Sequence, residues 1–153
     1  GIGFDLKRLV PTSFEQEAVG DMFGEQAVLC GGMAALIKNG FEVLVENGIS
    51  PENAYLEVAY QLDLIIALIK QHGIKGMFDR ISLTARYGAL EPGPELIDET
   101  VRARMDQVYA RIASGEFVSR LTKLSDSDIK RISEDLARLT DPRLDAAAKK
   151  FSK

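Results

Sequence analysis

The fold class follows from residues 50 to 73, which read SPENAYLEVAYQLDLIIALIKQHG. Ser50 can accept hydrogen bonds from first-turn amides, Pro51 suits the first helical position, and Gly73 can end the helix. The residues between these signals are apolar on nearly every face, and such a helix must be surrounded by protein. A chain of 153 residues can hardly enclose it completely. We therefore expect a second subunit to help cover this helix.

Helical spacing also dominates the rest of the sequence, and no convincing run of alternating strand residues lies between turn signals. The sequence therefore predicts an all-α fold. After an irregular lead-in over residues 1 to 13, Thr12 or Ser13 can cap a helix that runs to Asn47 and stops at Gly48. Later helices are predicted at residues 75 to 87 with Gly88 as the stop, 94 to 115, 116 to 124, 126 to 139, and from Thr140-Asp141-Pro142 onwards. Residues 125 to 153 are expected to form a polar helical tail packed on the same domain.

Five glycines lie inside the first predicted helix: Gly20, Gly24, Gly31, Gly32 and Gly40. Each interior glycine costs about 1 kcal/mol relative to alanine, so something must offset them. One explanation is a break into two helices near Gly31 and Gly32. The other is close backbone approach by another helix or a ligand, which glycine permits for the same steric reason.

Composition indicates one ordinary soluble domain, or at most two small ones, because 46% of residues are hydrophobic and 27% are charged, which excludes a disordered chain. A net charge of -4 argues against nucleic acid or an anionic membrane as the main partner. The most apolar stretch, residues 62 to 69, is shorter than the roughly 20 residues of a membrane crossing. The single cysteine, Cys30, cannot form an internal disulfide, and residues 1 to 5 do not resemble a signal peptide. We expect a reducing, cytoplasmic location.

Asp21 and Glu25 stand four residues apart, so a helix places both carboxylates on one face. Their mutual repulsion is small on a wet surface and larger where water is excluded. Mg²⁺ would reverse its sign, since Mg²⁺ binds one or two carboxylates together with waters and substrate. Two solvated acids on a helix surface are the simpler interpretation of the same spacing.

Glu57 and Gln61 repeat this spacing on the apolar helix, where a polar pair on one face is conspicuous. A buried Glu57 would have to protonate or find a cation. An interfacial salt bridge with Lys or Arg is the alternative. The other candidates have bland explanations: His72 as a charge near a helix C-terminus, Cys30 as a small buried hydrophobe, and Ser82 as a hydroxyl bonded back to the backbone.

The segment DMFGEQAVLCGG, residues 21 to 32, resembles the metal-binding segment of ketol-acid reductoisomerase. The similarity covers roughly residues 14 to 118 in order. It continues through GFEVLVE (40 to 46), PENAYLE (51 to 57), ISLTARYG (81 to 88) and residues 93 to 117.

This resemblance implies an all-helical C-terminal domain, residues 14 to 124, that holds two Mg²⁺ ions and a 2-acetohydroxy acid. In that family a separate Rossmann domain supplies NADPH, and the enzyme migrates an alkyl group and then reduces the product in branched-chain amino acid biosynthesis. The resemblance assigns Asp21 as the bridging metal ligand and Glu25 as a ligand of one metal. It assigns Glu57 as a further metal ligand or a contact to a metal-bound water, with Glu57 or its neighbour assisting proton movement. Ser82 and Gln61 are assigned as substrate contacts. It also implies an intertwined homodimer in which Asp21 and Glu25 of one chain face Glu57 and Ser82 of the other.

Three residues depart from the family pattern: Gln61 replaces a glutamate, Tyr60 replaces the usual histidine, and Arg86 replaces another glutamate. Fewer negative charges and an added cation should weaken Mg²⁺ binding. Since no Rossmann unit is recognisable in the sequence, this chain alone should not catalyse the reduction. Three hypotheses stay open: a helical domain that works with a separate cofactor domain, a stand-alone dimeric binding or assembly module without catalysis, and a purely structural similarity with surface acids.

Overall fold

A computed structural model describes residues 9 to 152, and its regular secondary structure over that range is entirely helical. The all-α prediction is confirmed; residues 1 to 8 of the predicted lead-in lie outside the described residues. In chain order the helices are α1 (Phe14–Phe23), π1 (Gly24–Leu29), α2 (Gly31–Glu46), α3 (Pro51–Tyr55), π2 (Leu56–Tyr60), α4 (Leu62–Phe78), α5 (Leu83–Gly88), α6 (Pro92–Leu96), α7 (Glu99–Ala113), α8 (Glu116–Leu121), α9 (Asp126–Ala137) and α10 (Pro142–Phe151).

The ends of the first helical run match the predicted capping signals. The hydroxyl of Ser13 accepts from the backbone N–H of Gln16 at 3.1 Å, which begins α1. After α2, Gly48 adopts a φ of 91°, and the backbone N–H of Ile49 donates to the carbonyl of Leu44 at 3.0 Å. This is a Schellman motif, in which a left-handed glycine closes the helix.

The predicted starts of three later helices are also confirmed. Ser50 accepts from the N–H of Asn53 and Pro51 occupies the first turn of α3. Ser125 forms a capping box with Asp128 at the start of α9, and Asp141 caps α10. These signals are reliable because each depends on a hydrogen bond between near neighbours in the chain.

Two predicted helices are wrong in their extent. The backbone at Gly73 has a φ of 71° and a ψ of 175°, as a helix stop there requires, but the helix predicted over residues 75 to 87 is interrupted after Phe78. It restarts at α5, and Gly88 belongs to that helix instead of stopping it. The helix predicted from residue 94 is divided because Asp98 accepts from the amides of Thr100 and Val101 and so begins α7.

Gly31 and Gly32 are required by the wide turn that precedes them. In π1 the N–H of Cys30 donates to the carbonyl of Glu25, five residues back, at 2.9 Å. A Cβ on Gly31 would lie 2.2 Å from the carbonyl oxygen of Gln26, and one on Gly32 would lie 2.1 Å from that of Ala27. A break near Gly31 does occur, as a single turn residue between π1 and α2. The close approach at these two glycines is by the chain's own preceding turn.

The protomer is organised around α2. The short helix α3 and the turn π2 pack against it, α10 packs on α3, and α1 packs on α7. Phe41 of α2 is completely buried, and the guanidinium of Arg143 lies 5.9 Å from the centre of its ring. Ala54 of α3 and Ala147 of α10 are also buried, and their small side chains allow these two helices to approach closely.

Few side chains are buried within one protomer. The buried apolar residues among those described are Phe41, Ala54, Met77, Ile112 and Ala147. The accessible surface is 12228 Å², whereas a compact monomer of 16.8 kDa exposes about 7,700 Å². One chain therefore leaves much of the surface of its helices uncovered. That a second subunit covers the apolar helices stays a prediction.

One helical run in the described part of the chain, Phe14–Glu46, is long and apolar enough to cross a membrane, judged by length and composition alone. Its most apolar window has a mean hydropathy of 1.5, and only 6% of that window is buried in the protomer. Residues 62 to 69, the most apolar short stretch of the sequence, lie in α4 and are not part of this run. A single such helix is weak evidence, because a helix that packs inside a soluble protein has the same composition. That the chain binds no membrane stays a prediction.

Asp141 joins the C-terminal helix to the packing around Phe41. Its side chain is 5% exposed and receives two N–H groups of the Arg143 guanidinium, the shortest contact being 2.6 Å, together with the backbone N–H of Arg143 at 2.8 Å. The hydrogen bonds from the Arg143 side chain lower the pKa of Asp141 from its ordinary value to about 2. The carboxylate form is therefore favoured by the fold.

We predict opposite effects for two glycine-to-alanine substitutions in α2. Gly31→Ala should lower the free energy of unfolding by about 1 to 3 kcal/mol, since its Cβ overlaps the Gln26 carbonyl. Gly40→Ala should raise it by up to about 1 kcal/mol, because its Cβ would lie 3.5 Å from Val58, an ordinary contact, and alanine favours the helix. Urea unfolding at one fixed protein concentration measures both. Equal effects of the two changes would contradict the steric account.

We also predict a pH dependence that Asp141→Asn removes. Because the folded-state pKa of about 2 lies below the unfolded value of about 3.9, the carboxylate stabilises the fold above pH 4, and this contribution disappears as the pH falls through 2. The free energy of unfolding of wild type should exceed that of Asp141→Asn by at most about 2 kcal/mol at pH 6, and the difference should shrink towards pH 2. Urea titrations between pH 6 and 2.5 measure it. Asp145→Asn, on the same helix, is the control and should show little difference at any pH.

Candidate functional site

Asp21 and Glu25 occupy consecutive turns of one helical run. Asp21 lies near the end of α1 and Glu25 lies in π1, and both side chains are exposed. The segment is held by α7, where the ring of Tyr109 meets that of Phe23 edge-on at 6.0 Å. Neither carboxylate takes part in an ion pair or side-chain hydrogen bond within residues 9 to 152. Their oxygen lone pairs are therefore available to a ligand.

Glu57 lies in π2 and is exposed, and its partner in the protomer is Gln61. The amide Nε2 of Gln61 donates to Oε2 of Glu57 at 3.1 Å. Over the described range no Lys or Arg of the same protomer pairs with Glu57. The alternative of a salt bridge across an interface involves a second chain and stays a hypothesis.

One protomer keeps the Asp21–Glu25 pair and the Glu57–Gln61 pair apart. Val58, next to Glu57, lies against Gly40 of α2, since its Cγ1 is 3.5 Å from the position of a Cβ there. Gly40 is about four helical turns beyond Glu25, so the two acidic turns are roughly 20 Å apart along the helix. Consistent with this, no group of three His, Cys, Asp or Glu side chains suited to one metal ion occurs among residues 9 to 152. The structure brings Asp21 near Glu25 and Glu57 near Gln61, but it does not join the pairs within a chain.

Ser82 stands at the start of α5, after the interruption that the sequence analysis missed. Its hydroxyl oxygen accepts from the N–H of Ala85 at 3.1 Å, and the residue is exposed. A serine that accepts in this way still has its O–H to donate, so a helix cap can also contact a substrate oxygen. One turn later, Nε of Arg86 is buried and has no hydrogen-bond partner among the described residues.

The prediction that Cys30 is a small buried hydrophobe is wrong. The thiol of Cys30 is exposed at the junction of π1 and α2. It borders a cleft of about 590 Å³ between α2 and the end of α9, with Ala34, Ala35, Leu136 and Leu139 among the lining residues. His72 is exposed in the last turn before Gly73, as a charge at a helix C-terminus would be.

The wide turns are a feature of the site that the sequence analysis did not find. Glu25 lies in π1 and Glu57 lies in π2, so the Asp21–Glu25 pair and the Glu57–Gln61 pair each include a residue of a π-helical segment. Such segments are rare and occur frequently at functional sites. The Gly31-Gly32 pair was the available signal for π1, since side chains there would overlap the carbonyls five residues back. No comparable signal marks π2.

Comparison with known families gives a match over nearly the whole chain. The family model described as "Ketol-acid reductoisomerase, C-terminal domain" matches residues 14 to 149, and so extends beyond the resemblance noted in the sequence. Two curated relatives carry the name ketol-acid reductoisomerase (NADP(+)). One, from Corynebacterium urealyticum, is 43% identical over 98% of this chain and 44% of its own length. The other, from Pyrobaculum arsenaticum, is 50% identical over 76% of this chain and 36% of its own length.

A solved structure agrees with the fold. It is that of an NADH-preferring ketol-acid reductoisomerase from an uncultured archaeon, and it superimposes with a TM-score of 0.84 and 37% identity. The match covers 92% of this chain and 42% of that one. The chain therefore spans less than half the length of these relatives.

Proposed function

Because the chain belongs to the ketol-acid reductoisomerase family, as its C-terminal domain, we propose that it binds Mg²⁺ and a 2-acetohydroxy acid for alkyl migration and reduction. The observation that carries this proposal is the state of the four matching side chains. Asp21, Glu25 and Glu57 are exposed without cationic partners in the described structure, and Ser82 is exposed at a helix start. Acidic groups with no structural ion pair are available for ligands.

We propose that the complete site is shared between two protomers. The Asp21–Glu25 pair and the Glu57–Gln61 pair are roughly 20 Å apart along one chain, which is too far for both to bind one ion. The uncovered apolar surface supplies the driving force for dimerisation. In the dimer, Asp21 and Glu25 of one chain would meet Glu57, Gln61 and Ser82 of the other.

The available donor set fits Mg²⁺. Carboxylate oxygens are the ligands that a hard cation of this size prefers, and waters or substrate oxygens complete its coordination. Asp21, Glu25 and Glu57 would hold the metal. When bound, Mg²⁺ supplies Lewis acidity that stabilises negative charge developing on adjacent substrate oxygens. Gln61 contributes no charge, so the affinity should be lower than with a glutamate there.

The remaining roles follow from the chemistry of each side chain. Among the three proposed metal ligands, Glu57 is the one with a side-chain donor in the described residues, and we assign it the acceptance and return of a proton at its free oxygen. The hydroxyl of Ser82 donates to a substrate oxygen while it caps α5. Gln61 can orient Glu57 with its N–H and also contact the substrate, but it cannot transfer a proton.

We propose that NADPH is bound by a separate Rossmann domain, as the family resemblance implies; this chain spans 44% and 36% of the two relatives. Reduction therefore requires that domain, supplied in the same polypeptide or as a separate partner. A cytoplasmic location, with neither nucleic acid nor membrane as a partner, belongs to the same proposal.

A second candidate function is a dimeric binding or assembly module without catalysis. Gln61 favours it, because its neutral amide satisfies Glu57 where the family has a further carboxylate. Arg86 favours it as well, since this residue adds a cation one turn from Ser82. In this case the dimer remains and metal binding is lost.

A magnesium titration distinguishes the two functions. With a 2-hydroxy acid analogue present, isothermal calorimetry of the purified chain should show Mg²⁺ binding that Asp21→Asn abolishes, because the bridging carboxylate is lost. Glu17→Gln removes an exposed charge from the same helix and should leave binding unchanged. Absence of any Mg²⁺ response in wild type would support the module without catalysis.

Mixing two defective variants tests whether the site is shared. Asp21→Asn and Glu57→Gln should each lose Mg²⁺ binding alone, whereas the two refolded together in equal amounts should recover about a quarter of the wild-type sites. Half of the dimers are then mixed, and each of these has one unaltered site. If every site lay within a single chain, mixing would restore nothing. Elution of wild type as a monomer of about 17 kDa, the mass of one chain of this length, would also exclude the shared site.

A further inference from the structure

The C-terminal ring of Phe151 lies against both ends of the turn that carries Glu57. Its ring stacks on that of Tyr55 with centroids 5.6 Å apart and an interplanar angle of 23°. It also meets Tyr60 at 5.7 Å, and the two tyrosine rings are themselves 6.2 Å apart. Tyr55 directly precedes π2 and Tyr60 is its last residue, so one ring from α10 spans the whole wide turn.

Additional contacts anchor the helix that delivers this ring. Lys150 forms an ion pair with Glu52 of α3, and this hydrogen bond lowers the pKa of the Glu52 carboxyl. Asp141 and Arg143 fix the other end of α10 over Phe41. The helix is thus held at both ends, and Phe151 is delivered to a defined position.

From this juxtaposition we propose that Phe151 is a positioning residue for Glu57, acting through Tyr55 and Tyr60. A π-helical segment is rare and occurs mostly as a single turn inside an α-helix. Such a turn therefore needs support from the side chains packed around it. A rigid aromatic contact at each end supplies that support, since such pairs stabilise beyond the area they bury. Tyr55 and Tyr60 lie inside the matched family region, residues 14 to 149, and Phe151 lies two residues beyond its end.

The inference rests on the proposed metal site, and its consequence is a change in metal affinity. Removing the ring leaves every proposed ligand in place but frees the backbone that orients Glu57. Outer residues that orient metal ligands typically change affinity about 10-fold to 100-fold. The dissociation constant for the metal should therefore rise by about tenfold when Phe151 becomes alanine.

Binding of Mn²⁺ to the purified chain, followed by the loss of its free six-line electron paramagnetic resonance signal, tests this effect. Phe151→Ala should weaken Mn²⁺ binding by about tenfold. Phe151→Tyr retains the ring and should restore wild-type affinity. Lys149→Ala, an exposed change two residues away, is the matched control and should have no effect. If Phe151→Ala unfolds, Phe151→Leu keeps most of the apolar volume without the stacked ring and should still weaken binding.

Amide hydrogen exchange provides a readout that does not depend on metal. In Phe151→Ala, exchange should accelerate in peptides covering residues 54 to 61 and stay unchanged in those covering residues 101 to 110 of α7. Unchanged exchange over residues 54 to 61 would overturn the inference, as would wild-type Mn²⁺ affinity in Phe151→Ala; both results leave the proposed function intact. Failure of wild type itself to bind Mn²⁺ would instead overturn the proposed function, and with it the role of Phe151 at a metal site.

Discussion

The uncovered apolar surface of the helices is the constraint on which the structure depends. One protomer buries a handful of apolar side chains, and its accessible surface exceeds that of a compact chain of the same mass by more than half. Helices with exposed residues such as Leu36, Val43 and Leu64 are not stable alone in water. In the dimer that we propose, a second copy of the chain would cover them. The fold of one chain and the association of two chains would then depend on the same apolar surface.

The length of α2 then determines how a ligand site can be assembled. The helix separates Glu25, before its start, from Gly40, where π2 packs, and a helix of this kind is rigid over such a distance. Bending it would expose Phe41, which is completely buried. We therefore propose that the Asp21–Glu25 pair and the Glu57–Gln61 pair converge when a second chain is present. Within one chain, the contact of Val58 with Gly40 keeps the two pairs apart.

Local signals explain which parts of the fold the sequence could predict. Ser13, Ser50, Ser125 and Asp141 begin helices through hydrogen bonds to residues two or three positions away, so the sequence alone identifies them. The four-residue spacings of Asp21 with Glu25 and of Glu57 with Gln61 were likewise visible in the sequence. The turn π2 was not, because it packs against α2 and its two flanking tyrosines meet Phe151 of α10, far along the chain, while no local residue requires it. Exposure of Cys30 depends on which helices fail to cover it, and a sequence does not record that.

Gln61 connects the energetics of the free turn with the chemistry of the site. A glutamate at this position would place two carboxylates one turn apart, and their repulsion would destabilise π2 until a cation arrived. The amide removes that repulsion and donates to Glu57 instead, so the turn is satisfied without metal. The same atoms therefore stabilise the free protein and reduce the electrostatic gain from binding Mg²⁺. At the hydrogen bond from Gln61 to Glu57, the stability of the metal-free turn and the proposed affinity for Mg²⁺ therefore oppose each other.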